Sequence, residues 1–321
     1  MKILVAPDSF KGTYSAAEVA ANIAAGIRSA GGSADEMPVA DGGEGTFDVV
    51  FRGLAAEPLS LRTVGPWDDP TDAVIGLSAS GTAVVELASA SGLNLPTSGK
   101  RDPVAASTYG TGVLIAEAVR RGARRILVAA GGSATTDGGA GAIRAIDESG
   151  GLRGAKLVVL SDVTTRFTDA ARVFAPQKGA DAETVELLTM RLNELSGTLK
   201  RDPRAVDRSG AAGGFAGGMW AQYDADLVSG ADFVLDLLEA DTRIAASDAV
   251  VVGEGRLDSQ TGQGKIIGAL LARSSGIPVY AVVGSVHEDL GSYADRFAGI
   301  IIASDGPAMV AAGAAVSAAG S

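Results

Sequence analysis

The 321-residue chain contains no cysteine and a single histidine, His287. Without cysteine there are no disulfides, no thiolate nucleophile and no Cys-ligated zinc or iron–sulfur site, and the redox compartment is left open. A Ser-His-Asp mechanism would depend on His287 alone. Its neighbours Glu288 and Asp289 indicate an ordinary solvated helix start. We therefore expect neither thiol nor histidine catalysis.

Long apolar runs are also missing. The longest uncharged stretches, 306–321 and 209–223, are rich in Gly and Ala and fall short of the roughly 18 residues that a membrane helix needs. The apolar run at the N-terminus meets Asp8 too early for a signal-peptide core. The sequence thus predicts a soluble, cytoplasmic protein.

Basic and aromatic residues are scarce. Lys and Arg number 27 against 38 Asp and Glu, the net charge is −11, and aromatics make up 5%. Such a surface repels polyanions, so a nucleic-acid partner is not expected. A pocket for a small anion could still form around local cations, for which the candidates are Lys11, Lys178, Arg256 and Lys265.

Glycine, by contrast, is abundant, with 44 residues. Three strand-like runs end in loops rich in glycine and acid: Asp41-Gly-Gly-Glu-Gly-Thr46, Gly131-Gly-Ser-Ala-Thr-Thr-Asp-Gly-Gly139 and Gly253-Glu-Gly-Arg-Leu-Asp258. Glycines let backbone N–H groups approach a phosphate closely, and carboxylates can hold an accompanying Mg²⁺. A single loop of this kind is equally typical of a tight turn, but three of them favour phosphate chemistry.

A further charged turn, Asp8-Ser9-Phe10-Lys11-Gly12, follows the first predicted strand. Its lysine could neutralise a transferring phosphoryl group, although an exposed salt bridge is an equally good interpretation. The loops do not complete G-x-G-x-x-G, and Gly264-Lys265 lacks the earlier glycine of a P-loop. Any nucleotide would therefore be bound in another way.

The order of predicted elements gives the fold class. Strand–loop–helix units fill residues 1–60, including a strand around 37–40, and return after 245, while strand-like pieces without helices between them occupy 58–87. Residues 210–218 are too glycine-rich for a helix on propensity and are expected to pack a helix closely or to line a site. We predict two α/β domains: 1–60 with 245–321, a doubly wound parallel sheet, and 61–244, with a mixed sheet.

Whole phrases of the chain resemble the bacterial glycerate kinases that phosphorylate the 2-hydroxyl. They include Ala6-Pro-Asp-Ser-Phe-Lys-Gly12, Pro38-Val-Ala-Asp-Gly-Gly-Glu-Gly-Thr46, Thr108-Tyr-Gly-Thr-Gly112, Pro176-Gln-Lys-Gly-Ala180 and Gly253-Glu-Gly-Arg-Leu-Asp-Ser-Gln-Thr261. Two segments depart from the family pattern: 141–161 is shorter, and Ser161-Asp-Val replaces the usual Cys-Asp-Val.

The resemblance implies a flavodoxin-like domain interrupted by a second α/β domain, ATP with Mg²⁺, D-glycerate as acceptor and 2-phosphoglycerate as product. A homodimer is possible. Phosphoryl transfer needs a base, cations and a metal that bridges phosphate oxygens. The expected residues, whose roles could be permuted, are Lys11 and Arg256 as catalytic cations, Asp41 or Asp162 as base, Gly131, Gly132, Ser133 and Thr135 as phosphate cradle, Asp8, Ser9, Lys178 and Asp258 as substrate contacts, and Asp137 and Glu254 as metal ligands.

Other functions stay open from the sequence. The enzyme could produce 3-phosphoglycerate or act on another small hydroxy acid, and a ligand-sensing protein could keep the fold without catalysis. The charged set around Lys11 argues against a sensor. A nicotinamide dehydrogenase is disfavoured because its dinucleotide fingerprint is absent.

Overall fold

The computed structural model describes residues 1–43, 45–258, 266–287 and 290–319. Within them the strands are β1 Lys2–Pro7, β2 Ser33–Glu36, β3 Glu57–Val64, β4 Pro70–Leu77, β5 Thr82–Glu86, β6 Arg125–Ala129, β7 Lys156–Leu160, β8 Asp226–Val228, β9 Ala249–Leu257, β10 Val279–Val286 and β11 Gly299–Ile302. The helices are α1 Ala16–Ser29, α2 Thr46–Gly53, α3 Ala88–Ser91, α4 Tyr109–Arg120, α5 Ala140–Glu148, α6 Ala170–Phe174, α7 Ala182–Ser196, α8 Phe215–Tyr223, α9 Gly230–Leu237, α10 Ala240–Ala245, α11 Ile266–Arg273 and α12 Gly306–Ala319.

The two ends of the chain form one compact unit, residues 1–49 and 230–321. Its described strands make a sheet in the order β2-β1-β9-β10-β11, parallel throughout. This is the order of flavodoxin-like sheets. Strands β1 and β9 read as continuous apolar runs because both faces of the sheet are covered. The predicted parallel sheet is confirmed.

Helices α1 and α12 pack together on this unit because their facing residues are small. A Cβ atom on Gly26 would collide with the Val310 carbonyl, and one on Gly313 would collide with the Ile23 carbonyl. Helix α1 begins at a capping box, in which the side chains of Ser15 and Glu18 each accept a hydrogen bond from the other residue's backbone N–H. The described helices include none long and apolar enough to cross a membrane.

Residues 50–229 form the second compact unit. Its sheet, over the residues described, runs β3-β4-β5-β6-β7-β8. The pairs β3–β4 and β4–β5 are antiparallel, and the remaining pairs are parallel, so the predicted mixed sheet is confirmed. Leu114, Ile115, Ile126 and Phe215 are among the side chains fully buried in its core.

The glycine-rich stretch 210–218 was predicted to be non-helical, and half of it is helical. Helix α8 begins at Phe215 and includes Gly217 and Gly218. A Cβ on Gly218 would collide with the carbonyl of Gly138, and one on Gly217 would collide with the Phe167 ring. Close packing therefore outweighs the weak helix propensity of glycine here, as the alternative prediction had it.

Two further positions differ from expectation. The second strand is Ser33–Glu36 and not 37–40, although Met37 and Val39 still donate to the carbonyls of Val5 and Pro7. The compact units divide at 49/50 and 229/230, earlier than the predicted 60 and 245. The first boundary is earlier because strand β3 pairs with β4 and thus belongs to the second sheet. The second boundary is earlier because acids on helices α9 and α10 form ion pairs with Arg273 at the end of α11, so both helices belong to the first unit.

Candidate functional site

A cleft of about 530 Å³ opens in the first unit where β1 and β9 end. In parallel sheets this carboxyl edge is the usual place for a ligand. The cleft brings together seven of the fourteen predicted residues, a group that we call the acidic cleft: Asp8, Ser9, Lys11, Asp41, Glu254, Arg256 and Asp258. Three segments widely separated in sequence thus meet at one place.

Asp41 enters the acidic cleft from a tight turn. Its Oδ1 accepts a hydrogen bond of 2.9 Å from the Gly43 backbone N–H, and Gly42 adopts a φ of 97° that favours glycine. Within the described ranges, no donor bonds to Asp41 Oδ2. One carboxylate oxygen is therefore used to fix the side chain, and the other is left for a ligand.

Asp8 is the most buried acid of the cleft, with 6% of its surface exposed. Burial and, next, the charge of Asp41 raise the pKa of its carboxyl to about 7, with a smaller contribution from Glu254. Ser9 N–H donates to Asp8 Oδ1 at 2.6 Å and opposes this shift, as does Lys11. Near neutral pH this carboxyl can thus hold or release a proton.

The cations of the cleft, Lys11 and Arg256, are exposed residues on its rim. Exposed side chains can turn toward an incoming anion at little cost. A carboxylate or a phosphoryl group would gain charge-assisted hydrogen bonds from them. The cleft therefore combines one buried and three half-buried acids with accessible cations, an arrangement that suits proton acceptance beside a transferring anion.

The acidic cleft offers carboxylates that suit a nucleotide-bound Mg²⁺, rather than a complete set of protein ligands for a free ion. No cluster of three or more metal-binding side chains occurs in the part of the chain that the structure describes. A nucleotide-bound Mg²⁺ needs only one or two protein carboxylates, since phosphates and waters complete its shell. Glu254 and Asp41 could supply them, and a cation there would offset the repulsion that raises the Asp8 pKa.

All but one of the remaining predicted residues lie in or beside a loop of residues 131–139, which follows β6 in the second unit. Leu93 N–H donates to the carbonyl of Gly132, and Ala134 N–H donates to that of Ser91. Gly138 N–H in turn reaches the carbonyl of Gly213. The loop is thus held by its neighbours along its length, while Gly132 stays exposed.

Lys178 joins the same loop from the turn after α6. Its ammonium group donates to Ser133 Oγ at 2.9 Å and to the Thr135 carbonyl at 2.5 Å. Burial lowers the pKa of this amine to about 8, although the charge of Asp137 opposes the shift. The structure therefore brings the predicted cradle residues and Lys178 together in one place.

Asp137, predicted as a metal ligand, anchors two helix starts. Its Oδ1 accepts from Gly139 N–H, and its Oδ2 accepts from the backbone and hydroxyl of Thr108 and from Gly141 N–H, at 2.8–3.1 Å. Metal binding here stays a prediction. Four donors already occupy the carboxylate, so its geometry favours a role in holding the loop.

Asp162 follows β7 in the second unit. Ser229 Oγ donates to its Oδ1 at 2.9 Å. Asp41, by contrast, lines the acidic cleft together with Lys11 and Arg256. As a candidate base it has less support from its surroundings than Asp41 has.

Sequence reasoning did not single out Tyr293. Its hydroxyl is buried without a hydrogen-bond partner in the described part of the chain. Burial and the charges of Glu254 and Asp258 raise its pKa to about 12, which places the phenol near these acids. No sequence signal marks it, because it lies 35 residues beyond Asp258 in an unremarkable segment.

The predicted cation Lys265 lies outside the described residues.

Comparison with known proteins identifies the family of this chain. The model of the glycerate kinase family matches residues 3–150 and 146–317. The chain belongs to the glycerate kinase family. The two matched stretches meet at 146–150, inside the segment expected to be short.

Individual relatives agree with the family match. A glycerate kinase of Bacillus subtilis (strain 168) is 38% identical, over 90% of this chain and 86% of that protein. A glycerate 2-kinase of Escherichia coli (strain K12) is 36% identical, over 91% and 87%. A crystal structure assigned to a glycerate kinase 2 of Salmonella typhimurium LT2 superposes with a TM-score of 0.86 at 31% identity, covering 99% of this chain and 98% of that one. The predicted kinase class and α/β fold are thereby confirmed.

Proposed function

We propose that this member of the glycerate kinase family transfers the γ-phosphoryl group of ATP to the 2-hydroxyl of D-glycerate and releases 2-phosphoglycerate and ADP. The choice of the 2-hydroxyl is supported by the relative named glycerate 2-kinase, which is 36% identical. The observation that carries the proposal is the acidic cleft, in which Asp8 and Asp41 lie beside the cations Lys11 and Arg256.

Asp41 is the base in this proposal. Its free Oδ2 accepts the proton of the glycerate hydroxyl as the hydroxyl oxygen attacks the γ-phosphorus. The bond from that phosphorus to the β–γ bridging oxygen breaks, and ADP leaves with the electron pair. Gly43 N–H holds the other carboxylate oxygen, so the base is already oriented.

Charge neutralisation comes from the rim of the cleft. Lys11 or Arg256 binds the glycerate carboxylate or the transferring phosphoryl group. Mg²⁺, when bound with ATP, would balance the negative charge of the phosphates. Glu254 carries a carboxylate that could hold it. Asp8, with a pKa of about 7, can hydrogen-bond to substrate in either protonation state.

The loop of residues 131–139 supplies phosphate contacts in the same proposal. Its exposed Gly132 lets backbone approach an anion closely, and Lys178 adds a positive charge behind Ser133. Neutral glycine backbone and a buried amine suit the polyphosphate of ATP. This assignment predicts that Ser133→Ala raises the KM for ATP more than the KM for glycerate.

The test is a reaction with Mg-ATP and D-glycerate in which phosphorus and proton NMR identify the product. Formation of 2-phosphoglycerate supports the proposal, with L-glycerate and ATP alone as controls. A 3-phosphoglycerate product would overturn the regiochemistry. Turnover of another hydroxy acid but not of glycerate would overturn the substrate. A folded protein without any kinase activity would favour the ligand-sensing alternative.

A further inference from the structure

Gly230, the first residue of α9, lies directly on the backbone of the Asp41 turn. A Cβ atom at this position would collide with Gly42 Cα and would lie 2.7 Å from Gly42 N and 2.8 Å from the Asp41 carbonyl oxygen. Carbon atoms normally rest 3.5–4.0 Å apart. Because all three neighbours are backbone atoms, a side chain at 230 would have to move the turn itself by about 1 Å.

The same turn is fixed on other sides. Gly42 N–H donates to the fully buried Thr46 Oγ1 at 2.9 Å, and Gly43 N–H donates to Asp41 Oδ1. These bonds set the shape of the turn, whereas the contact with Gly230 sets where the turn lies. The position of the Asp41 carboxylate therefore depends on helix α9.

Helix α9 is itself tied down by Arg273, the last residue of α11. The guanidinium lies 3.2 Å from Asp232 and 2.7 Å from Asp236, one helical turn apart on α9, and 3.4 Å from Asp241 on α10. The arginine side chain is 19% exposed, whereas the three aspartate side chains are 61–76% exposed, so solvent screens each ion pair and the clamp depends on one guanidinium contacting all three. The clamp holds α9 against α11.

We propose that Gly230 is a positioning residue of the reaction, which lets the start of α9 support the Asp41 turn, and that the Arg273 clamp keeps this support rigid. The inference rests on the proposed function, in which Asp41 acts as base. It adds a determinant of rate that touches neither substrate nor nucleotide. A misplacement of about 1 Å can lower a rate about 100-fold.

The test compares Gly230→Ala with Gly306→Ala by crystallography and steady-state kinetics. Gly306 is a matched control, since it is the first residue of α12 and a Cβ there would meet Asn22 at an ordinary 3.6 Å. Alanine favours a helix over glycine, so helix propensity alone predicts no loss of stability. We expect G230A to displace Gly42 by about 1 Å and to lower kcat at least 10-fold with a nearly unchanged KM for glycerate, while G306A resembles wild type.

An undisplaced turn in G230A, or a displaced turn with wild-type kcat, would overturn the inference. Wild-type protein that fails to phosphorylate glycerate would overturn the proposed function instead, and the displacement in the crystal structure would still be measurable. If G230A does not fold, Arg273→Lys replaces it, because lysine keeps the charge but cannot bond to several carboxylates in the same geometry. We expect R273K to lower kcat about 3-fold or more at constant KM, and a wild-type kcat in R273K would refute the proposal.

Discussion

Two Asp-Gly-Gly turns, one in each unit, share a local structure and differ in what surrounds them. In both, the first oxygen of the aspartate accepts from the N–H two residues on, at 2.9 Å for Asp41 and 3.0 Å for Asp137. The second oxygen of Asp41 faces the acidic cleft, whereas that of Asp137 accepts three hydrogen bonds. The same motif thus presents a reactive group in one unit and holds two helices in the other.

The two units also differ in net charge. The first unit, residues 1–49 and 230–321, has 8 Lys and Arg against 18 Asp and Glu, and the second has 19 against 20. Burial and, next, the charge of Asp41 raise the pKa of Asp8 in the acidic unit, while burial lowers the pKa of the Lys178 amine in the balanced unit. The contrast shows that net charge and site chemistry are distributed by domain.

Among substitutions that compare the two turns, Asp41→Asn should have the largest effect on activity. Asparagine keeps one acceptor for Gly43 N–H, so the turn survives, but the base is lost. We expect kcat to fall about 100-fold or more with little change in stability. The exposed Asp48→Asn, which makes the same charge change on α2, serves as the control in steady-state assays. Near-wild-type turnover in D41N would remove Asp41 as the base.

Asp8→Asn should separate stability from activity in the acidic cleft. The folded-state pKa of Asp8, about 7, lies above its ordinary value of 3.8. Its contribution to stability is thus fully present below about pH 4 and is lost as the pH rises through 7. Replacing it by a neutral amide should raise the free energy of unfolding by about 3 kcal/mol at pH 8, while substrate turnover falls. Urea titrations at pH 5 and pH 8 measure this, and an equal effect at both pH values would contradict the shift.

Asp137→Asn should show the opposite pattern. An amide cannot accept all four hydrogen bonds, so buried donors at the start of α4 and α5 lose a partner. We expect the free energy of unfolding to fall by about 2 kcal/mol. Urea denaturation checks the loss, with D41N as the matched variant. If D137N were as stable as wild type but lost metal dependence, the predicted metal role would be right and the anchoring role wrong.

The smallest effect concerns the buried amine beside the second turn. The folded-state pKa of Lys178, about 8, lies below its ordinary 10.5, so its favourable contribution is present above 10.5 and is lost as the pH falls through 8. The wild type should therefore gain about 1 kcal/mol relative to Lys178→Met between pH 7 and pH 9. Parallel stability curves of the two proteins over this range would show that the amine titrates normally.

The sequence predicted the fold class because strand runs and helix periodicity are local signals. The parallel sheet and the mixed sheet were each predicted correctly from neighbouring residues. The failures, the strand at 37–40 and the helix start at Phe215, arose where packing outweighs propensity. A glycine occupies position 218 of helix α8, despite its weak helix propensity, because a Cβ atom there would collide with Gly138.

The sequence by itself determined the elements, the two α/β units and the local form of both Asp-Gly-Gly turns, since these depend on residues a few positions apart. It also carried the resemblance to the glycerate kinases. Only the tertiary structure decided that Asp8 is buried while Lys11 and Arg256 stay exposed, that Asp137 is occupied by Thr108, and that Gly230 supports the Asp41 turn. Burial and hydrogen-bond partners are set by segments far apart in the chain, and these partners fix whether a carboxylate is available for chemistry.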